Sequence, residues 1–537
     1  MPAVLFASIL LILSYPNYFL WPCAWFAFIP LFFGLHKEKK PLGALFQFYL
    51  FGFLFFFVTI EWLRHVTFLG WIFVALAYAD YFGLFGLLAW FLIKQKSDTA
   101  FLFLAPSLWA TLEWIRTELP IWGFGWNLLA YSQSGNLLIA RASALFGAFG
   151  VSWLILFGNI ALYFLFSSFN VQIKKIKHVI LRQSRRISKQ RSFALWAQDD
   201  SLLQLTNPKR AALGVFALIF VIFVAVVSNI YDSVRSNEDV TRKTQIPVAV
   251  IQGNIPQSEK WNPEEREHTL RKYEELTRLM IPAKPELVIW PEAAFPGFLN
   301  IDPLQEKVFS VGERFQFPLL VGGLYLSSER EAFNSAYFIN RGLFVARYDK
   351  MRLVPFGEFV PAKPFFRLFG LDRLADALGV GDFKPGREMN LFSLKNNVRF
   401  ASLICFEDTF PSLARTAVAK GAQFLTVITN DAWFSLSAAP RQHLQASIFR
   451  ALENGVPLVR AANTGVSAFV NARGKVMNQV RDQFDNDLFV TGTLSRPVTL
   501  SDGRTFYNWI GWQFPIWCLA FLLISLIFQL SRKNILR

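Results

Sequence analysis

Cysteine is scarce: three residues in 537, too few for a disulfide framework. Cys23 and Cys518 lie in apolar stretches and read as small core residues. Cys405 is different, because an apolar run ends on it and Glu407 and Asp408 follow almost at once. Charge is scarce too. Asp, Glu, Lys and Arg make up 17% of the chain against 53% hydrophobic residues, too little polar surface for a water-soluble protein of this length. No metal-ligand cluster, phosphate-binding glycine loop or nucleotide fingerprint is evident, so neither a metal nor a cofactor is expected. The net charge of +16 comes without a nucleic-acid-binding motif. It fits Lys and Arg gathered in the cytoplasmic loops of a membrane protein, and no nucleic-acid partner is expected. The N-terminus lacks the basic region of a signal peptide and further apolar segments follow directly, so it reads as a retained helix.

What is abundant is the long apolar run. Stretches near 3–20, 22–36, 44–63, 70–93, 100–117, 138–168, 211–231 and 509–530 approach or exceed the ~20 residues of a transmembrane helix. They predict a polytopic α-helical bundle of about eight spans, with soft boundaries around "SYPNYFLWP" between the first two. The basic segments "HKEKK" (36–40), "IKQKSD" (93–98), "IKKIKHVILRQSRRISKQR" (173–191) and "SRKNILR" (531–537) then fall on one side. The positive-inside rule makes that side cytoplasmic, together with both termini. The long basic loop could also touch anionic lipid. Three regions follow: a bundle over 1–231, an extracytoplasmic domain over 232–508, and a last span with a short tail over 509–537.

The middle region changes texture. Short apolar or β-branched runs end in polar turns, as in "IPVAVIQGN", "PELVIWPEAAFP", "FPLLVGGLY", "VRFASLICFED" and "FLTVITNDAWF", with helical stretches between them. Such alternation predicts a layered α/β domain whose functional groups gather at the carboxyl ends of strands.

Three strand ends carry candidate chemistry. Glu292 follows a strand that closes on Trp290-Pro291; it reads as a partly desolvated general base or as a surface turn acid. Lys350 follows "GLFVARY" and could supply positive charge to an oxyanion; the alternative is a solvated loop lysine that contributes little to the core. Glu358, eight residues on, could position Lys350 or hold a loop. Cys405 reads as a nucleophile whose pKa falls beside a lysine, or as buried packing. On a continued strand Glu407 would share its face and Asp408 would point away. His443 has no ligand set around it and reads as structural.

The order Glu, Lys, Cys resembles the nitrilase (carbon–nitrogen hydrolase) superfamily. The segments "QGNIPQSEKW" (252–261), "WPEAAFP" (290–296), "DKMRLVPFGEFVP" (349–361), "ICFEDTFP" (404–411), "TNDAWF" (429–434) and "QHLQASIFRALENGVPLVRAANTG" (442–465) bring the resemblance closest to the apolipoprotein N-acyltransferase family. The chain departs from that family's pattern at Phe406, where Tyr is common, at Ser435, where Gly is usual, and at Gly125, where Pro is expected.

The resemblance implies a four-layer α-β-β-α sandwich and a Glu292–Lys350–Cys405 triad supported by Glu358 and Glu407. Its implied acyl donor is a membrane phospholipid, phosphatidylethanolamine, and its acceptor the amino-terminal diacylglyceryl-cysteine of apolipoproteins. The implied location is the bacterial inner membrane, with the catalytic domain on the periplasmic side. Aromatic loops would cover the cavity, with Trp126 and Trp433 as candidate acyl-chain contacts; both could equally be interface anchors. Two other functions stay open. One is a membrane-tethered amidase using water as acceptor. The other is a transporter with a degenerate binding domain, for which Asp80, Glu61 and Glu113 in or near the spans would matter.

Overall fold

A computed structural model describes residues 1–535 apart from 96, 121, 172–202, 241–243, 356 and 360–381. The basic stretch 173–191 and the end of the 349–361 segment therefore lie outside the described residues. The apolar runs of the first region fold as α1 (Pro2–Leu13), α2 (Ile29–Lys37), α3 (Pro41–Thr59), α4 (Phe68–Lys94), α5 (Asp98–Glu118), α6 (Ser143–Ser168) and α7 (Pro208–Val240), and the last run as a C-terminal helix, Phe514–Ile535.

Among the described residues, five helical segments are long and apolar enough to cross a membrane: Pro41–Thr59, Phe68–Lys94, Ser143–Ser168, Pro208–Arg235 and Gly511–Ser531. This is fewer than the sequence suggested, and the reason is local. α1 has 12 residues and α2 nine. The chain between them meets Pro16, turns through positive φ at Asn17 (95°) and Phe19 (53°), and continues as a 3-10 turn, Trp21–Trp25. Protein satisfies the broken backbone. Asn159 of α6 accepts the Phe28 N–H at 3.0 Å and donates to the Ala24 carbonyl at 2.9 Å, and the Tyr15 hydroxyl donates to the Leu128 carbonyl at 2.8 Å. Irregular backbone at membrane depth is tolerated where protein covers it in this way. α5 carries Asp98, Glu113, Arg116 and Glu118 and falls outside the five. Glu113 accepts the Leu129 N–H at 2.7 Å, which fixes a loop. The outer faces of α7 (Ile219, Ile222, Phe223) and of the C-terminal helix (Leu523, Ile524, Ile527) are exposed and apolar, as helices solvated by lipid are.

Two six-stranded sheets follow. The first contains β1 (Gln245–Gln252), β2 (Leu287–Ile289), β3 (Pro318–Leu326), β4 (Ala332–Asn340), β5 (Leu343–Asp349) and the last strand of the domain, Gly492–Thr499. That last strand pairs antiparallel with β1, and the order continues β1-β2-β3-β4-β5, with β1, β2 and β3 parallel. The second contains β6 (Phe392–Ser393), β7 (Arg399–Ile404), β8 (Phe424–Thr429), β9 (Leu458–Ala462), β10 (Ala468–Val470) and β11 (Val476–Gln479), in that spatial order, with β7, β8 and β9 parallel.

The strands read as near-continuous apolar runs because both faces are covered. Along β1, Val248 and Val250 pack between the sheets in the same core as Phe338, Phe400, Leu425 and Val427. Ala249 and Ile251 point the other way, into a core with Leu270 and Tyr273 of α8 (Arg266–Arg278) and Val308 and Val311 of α9 (Gln305–Phe315). This is the strand period of two. With α10 (Pro411–Ala419) and α11 (Ala439–Asn454) on the second sheet, the domain is an α-β-β-α sandwich.

α11 also joins the domain to the bundle. Every residue in it except Arg441 is buried, because it is packed on more than one side. Gln442 accepts the indole N–H of Trp62 (3.0 Å) and of Trp126 (2.7 Å) and donates to the Thr59 carbonyl (2.8 Å). Glu453 accepts the Ala148 N–H at 2.7 Å, one residue past the α6 kink where Gly147 has φ 70°. The strand ends are thereby fixed relative to the bundle.

Candidate functional site

β2, β5 and β7 deliver Glu292, Lys350 and Cys405 from their carboxyl ends to one buried site. Glu292 follows Trp290 and Pro291 in a tight turn. Its Oε1 accepts from Asn334 Nδ2 at 2.8 Å and Lys350 Nζ at 3.4 Å, and its Oε2 accepts the Asn430 N–H at 2.8 Å. Lys350 is 1% exposed and donates to Glu358 at 2.9 Å. Asn334 bridges the two carboxylates, since the same Nδ2 also donates to Glu358 at 2.7 Å. Glu358 accepts the Val354 N–H at 2.8 Å as well. It thus holds its loop and positions Lys350 at once.

Lys350 is not a solvated loop lysine. Burial works against its charge, but Glu358 and then Glu292 more than offset that cost and raise its pKa, so it stays an ammonium.

Cys405 directly follows β7 with φ 51°, a left-handed conformation that a non-glycine residue holds at a cost of order 1–3 kcal/mol and that clusters at functional sites. The expected fall of its pKa is reversed. Burial and the charge of Glu292 raise the thiol well above its usual range, outweighing Lys350. The Cys405 sulfur therefore rests as a thiol beside the Lys350 ammonium, and would need a base to become a thiolate.

The strand stops at Ile404, and Cys405–Thr409 is a 3-10 turn, so the alternation expected for Glu407 and Asp408 does not apply. Glu407 is fully buried and works as a clamp. It accepts from the Tyr348 hydroxyl (2.8 Å) and the N–H groups of Met351 (2.6 Å), Arg352 (3.1 Å) and Ile404 (2.8 Å), tying the Lys350 loop to the Cys405 turn. Burial pushes its pKa up to about 7 against these donors and Lys350.

Asp408 turns into a second buried cluster that the sequence did not reveal. It meets Arg460 Nη1 at 3.0 Å and His443 Nε2 at 2.9 Å, while Asp431 meets Arg460 Nη2 at 3.2 Å and His443 Nδ1 at 3.1 Å. His443 Nε2 also lies 3.1 Å from the Cys405 carbonyl, so this cluster fixes the Cys405 backbone from beneath. Burial and Arg460, whose Nη2 is 2.6 Å from Nδ1, oppose the imidazolium; Asp408 and Asp431 overcome them and push His443 up to about 9.

A folded-state pKa above the unfolded one contributes stability that is full below about pH 6.5 and lost as pH rises through the folded value. Thermal unfolding in detergent is therefore expected to show about 3 kcal/mol of stability disappearing between pH 7 and 10. In His443→Gln that loss should vanish; an unchanged pH profile in the variant would show that His443 is neutral in the fold.

The two tryptophans separate. Trp126 is buried, with its ring 5.0 Å from Trp62, 5.1 Å from His443 and 6.3 Å from Phe434. It joins the "GFGW" loop to the "NDAWF" loop through Phe434. Trp433 is half exposed. Ser435, the departure from Gly, has φ 50° and ψ −165°, a region that suits glycine. Gly125 lies against the Thr409 carbonyl, where a Cβ would come within 2.1 Å of the oxygen.

Asn334, Asn430 and Lys260 also belong to the site. Asn430 stands in the quoted "TNDAWF" and Lys260 in "QGNIPQSEKW", so position in a motif could have flagged both; Asn334 lies within an ordinary strand and carries no such signal. Among the described residues, no group of three or more His, Cys, Asp or Glu is arranged to hold a metal.

Comparison with known proteins agrees with this architecture. Residues 7–161 match the apolipoprotein N-acyltransferase N-terminal domain and residues 247–502 the carbon-nitrogen hydrolase domain. Apolipoprotein N-acyltransferases from Geobacter metallireducens (29% identical; 98% of this chain, 95% of the relative), Haemophilus ducreyi (31%; 85% and 80%) and Vibrio cholerae (30%; 95% and 95%) are similar over most of their length. A solved amidase from Nesterenkonia sp. covers 50% of this chain and 94% of its own at 18% identity, with a TM-score of 0.37. With both parts matched and relatives at 30% and 31% identity aligned along most of their sequences, the chain belongs to the apolipoprotein N-acyltransferase family.

Proposed function

We propose that the protein moves a fatty acyl chain from a membrane phospholipid, through a thioester on Cys405, to the α-amino group of the diacylglyceryl-cysteine that begins an apolipoprotein. Membership of the family makes it an acyltransferase. The observation that carries the finer reading is the buried ammonium of Lys350 held between Glu292 and Glu358 beside a protonated Cys405.

Glu292 removes the thiol proton, and the sulfur attacks the ester carbonyl carbon of the donor, for which phosphatidylethanolamine acylated at sn-1 is the candidate. The tetrahedral oxyanion gains most from a cation that is already in place in a site shielded from water. The C–O bond breaks, the lysophospholipid oxygen takes the proton back from Glu292, and the thioester remains. The acceptor's neutral amine then attacks that thioester. Glu292 receives the amine proton, and the departing sulfur becomes the thiol again. Glu407 and the His443 cluster hold the two loops in register and touch no reacting atom in this scheme. The bundle keeps the site at the bilayer where both lipid-anchored substrates lie. We place the domain on the periplasmic side of the inner membrane and both termini in the cytoplasm, from the basic loops.

Mass spectrometry of purified protein incubated with phospholipid tests the reading. A fatty-acyl mass on Cys405 that moves to an added diacylglyceryl peptide is expected. An acyl mass released only to water would indicate an amidase-like hydrolase, and no acyl mass would end the thioester proposal.

A smaller change tests the geometry. A Cβ on Gly322 would meet the Pro291 carbonyl oxygen at 2.4 Å and Glu292 Cα at 2.6 Å, both backbone atoms that cannot swing away. Gly322→Ala is expected to displace Glu292 and slow thioester formation by about 10²-fold, the effect of a misplacement near 1 Å. A normal acylation rate in quenched flow would show that the turn tolerates the shift.

A further inference from the structure

A second buried lysine faces the same turn from the other side. Lys260 ends the helical turn Gln257–Lys260, is 1% exposed, and donates from Nζ to the main-chain carbonyl of Glu292 at 2.9 Å. No carboxylate among the described residues forms an ion pair with it. Its neighbour Glu259 interacts with Lys272 instead. The carbonyl it holds belongs to the peptide that enters Ala293, whose φ of 47° is strained for a residue with a side chain. Both ends of the turn are already tied to β3, by Trp290 N–H on the Leu320 carbonyl (2.8 Å) and Phe295 N–H on the Gly322 carbonyl (3.0 Å). Lys260 supplies the hold in the middle, where the base is attached.

We infer that Lys260 is a positioning residue for acylation: its hydrogen bond to the Glu292 carbonyl locks the strained turn and so aims the Glu292 carboxylate at Cys405. The inference rests on the reading of Glu292 as the base.

The two lysines differ in a way that fits two duties. Lys350 lies between carboxylates and keeps its charge. Lys260 meets a carbonyl; burial outweighs the opposing pull of Glu292 and of Cys405 when ionised, the titratable groups that face it among the described residues, and pushes its pKa down to about 7. Environments that drive like groups apart mark a division of labour within a site. Lys260 donates in either protonation state, but its charge near the base changes around neutral pH, which a mere packing residue would not reproduce.

The test uses the full-length protein in detergent with phosphatidylethanolamine micelles and single-turnover thioester formation. Lys260→Met is expected to slow acylation by about 10- to 100-fold with little change in the phospholipid concentration for half-maximal rate, and to remove an inflection near pH 7 from the rate profile. Lys260→Gln, which keeps an N–H donor on a shorter neutral arm, should fold and fall between Met and wild type. Combined with Glu292→Gln, Lys260→Met should cost nothing further, as expected when one residue acts through the other.

Wild-type rate and profile in Lys260→Met, a Gln variant no better than Met, or an added loss in the Glu292→Gln background would each overturn the inference. Full thioester formation by Glu292→Gln alone would instead remove Glu292 as base. Alkylation of Cys405 by iodoacetamide across pH, which needs no lipid, gives an independent reading: Lys260→Met should alter its rate if the base has moved, and an unaltered rate counts against the inference.

Discussion

Cys405→Ala is expected to yield no acyl-enzyme and no acyl transfer, whereas Cys23→Ala and Cys518→Ala should keep both. Cys23 is half-buried in the 3-10 turn after α1, and Cys518 is buried in the C-terminal helix. Neither has Glu292 or Lys350 near it. The Cys405 thiol is held up in pKa by burial and by Glu292, so its resting reactivity is low and the proposed attack depends on proton transfer. That makes the loss complete rather than partial, because no neighbouring group can replace the sulfur once the base has nothing to deprotonate. The fold should survive. Ala tolerates the φ of 51° about as well as Cys, and the backbone there is fixed by His443 on the carbonyl and by Glu407 on the Ile404 N–H. Intact-protein mass after incubation with phospholipid decides the matter at matched expression. An acylated Cys405→Ala protein would refute the thioester mechanism outright.

Glu292, Lys350 and Cys405 stood out in the sequence because each follows an apolar run, and a strand's carboxyl end is a place that a linear pattern marks; the fold brings these three strand ends together. Glu407 stood out beside Cys405, but the clamp it forms did not. Period-two reasoning presumes that the strand continues, and here it stops at Ile404 and coils into a 3-10 turn. His443 was legible as structural, yet its partners Asp408, Asp431 and Arg460 come from three further elements whose meeting no local signal announces. Trp126 stood out as a candidate acyl-chain contact because it lies in an aromatic loop that could cover the cavity; in the fold both it and Trp62 are held by Gln442 on α11. The first two spans, whose boundaries the sequence left soft, fold as helices of 12 and nine residues for a similar reason. Hydropathy runs through Pro16 and Asn17, whereas helix geometry does not, and the cost of the break is met by Asn159, far away in sequence.

Lys350→Met is expected to fail twice, for separable reasons. A preorganised donor to an oxyanion is worth about 10²–10³ in rate, and on the proposed mechanism the buried ammonium fixed at 2.9 Å from Glu358 and 3.4 Å from Glu292 is such a donor, so thioester formation should fall by at least that factor. The second failure is one of charge. The sequence offered a solvated loop lysine of little weight in the core as the alternative to an oxyanion partner, but the fold places Lys350 between two carboxylates bridged by Asn334. Removing one partner from a buried ionic group typically destabilises by 3–5 kcal/mol, because the remaining charges lose their counterion. Lys350→Met should therefore lower the unfolding midpoint in detergent, whereas Lys350→Arg should keep much of the stability and regain only part of the rate, since a planar fork cannot occupy the site of a compact ammonium.

The double variant Lys350→Met with Glu358→Gln separates the two effects. It removes a negative charge along with the positive one, so stability should largely return while acylation stays low. If the rate returned with the stability, Lys350 would be a counter-charge rather than an oxyanion partner. If Lys350→Met alone acylated at a near-normal rate in quenched flow, backbone donors would carry the oxyanion without it.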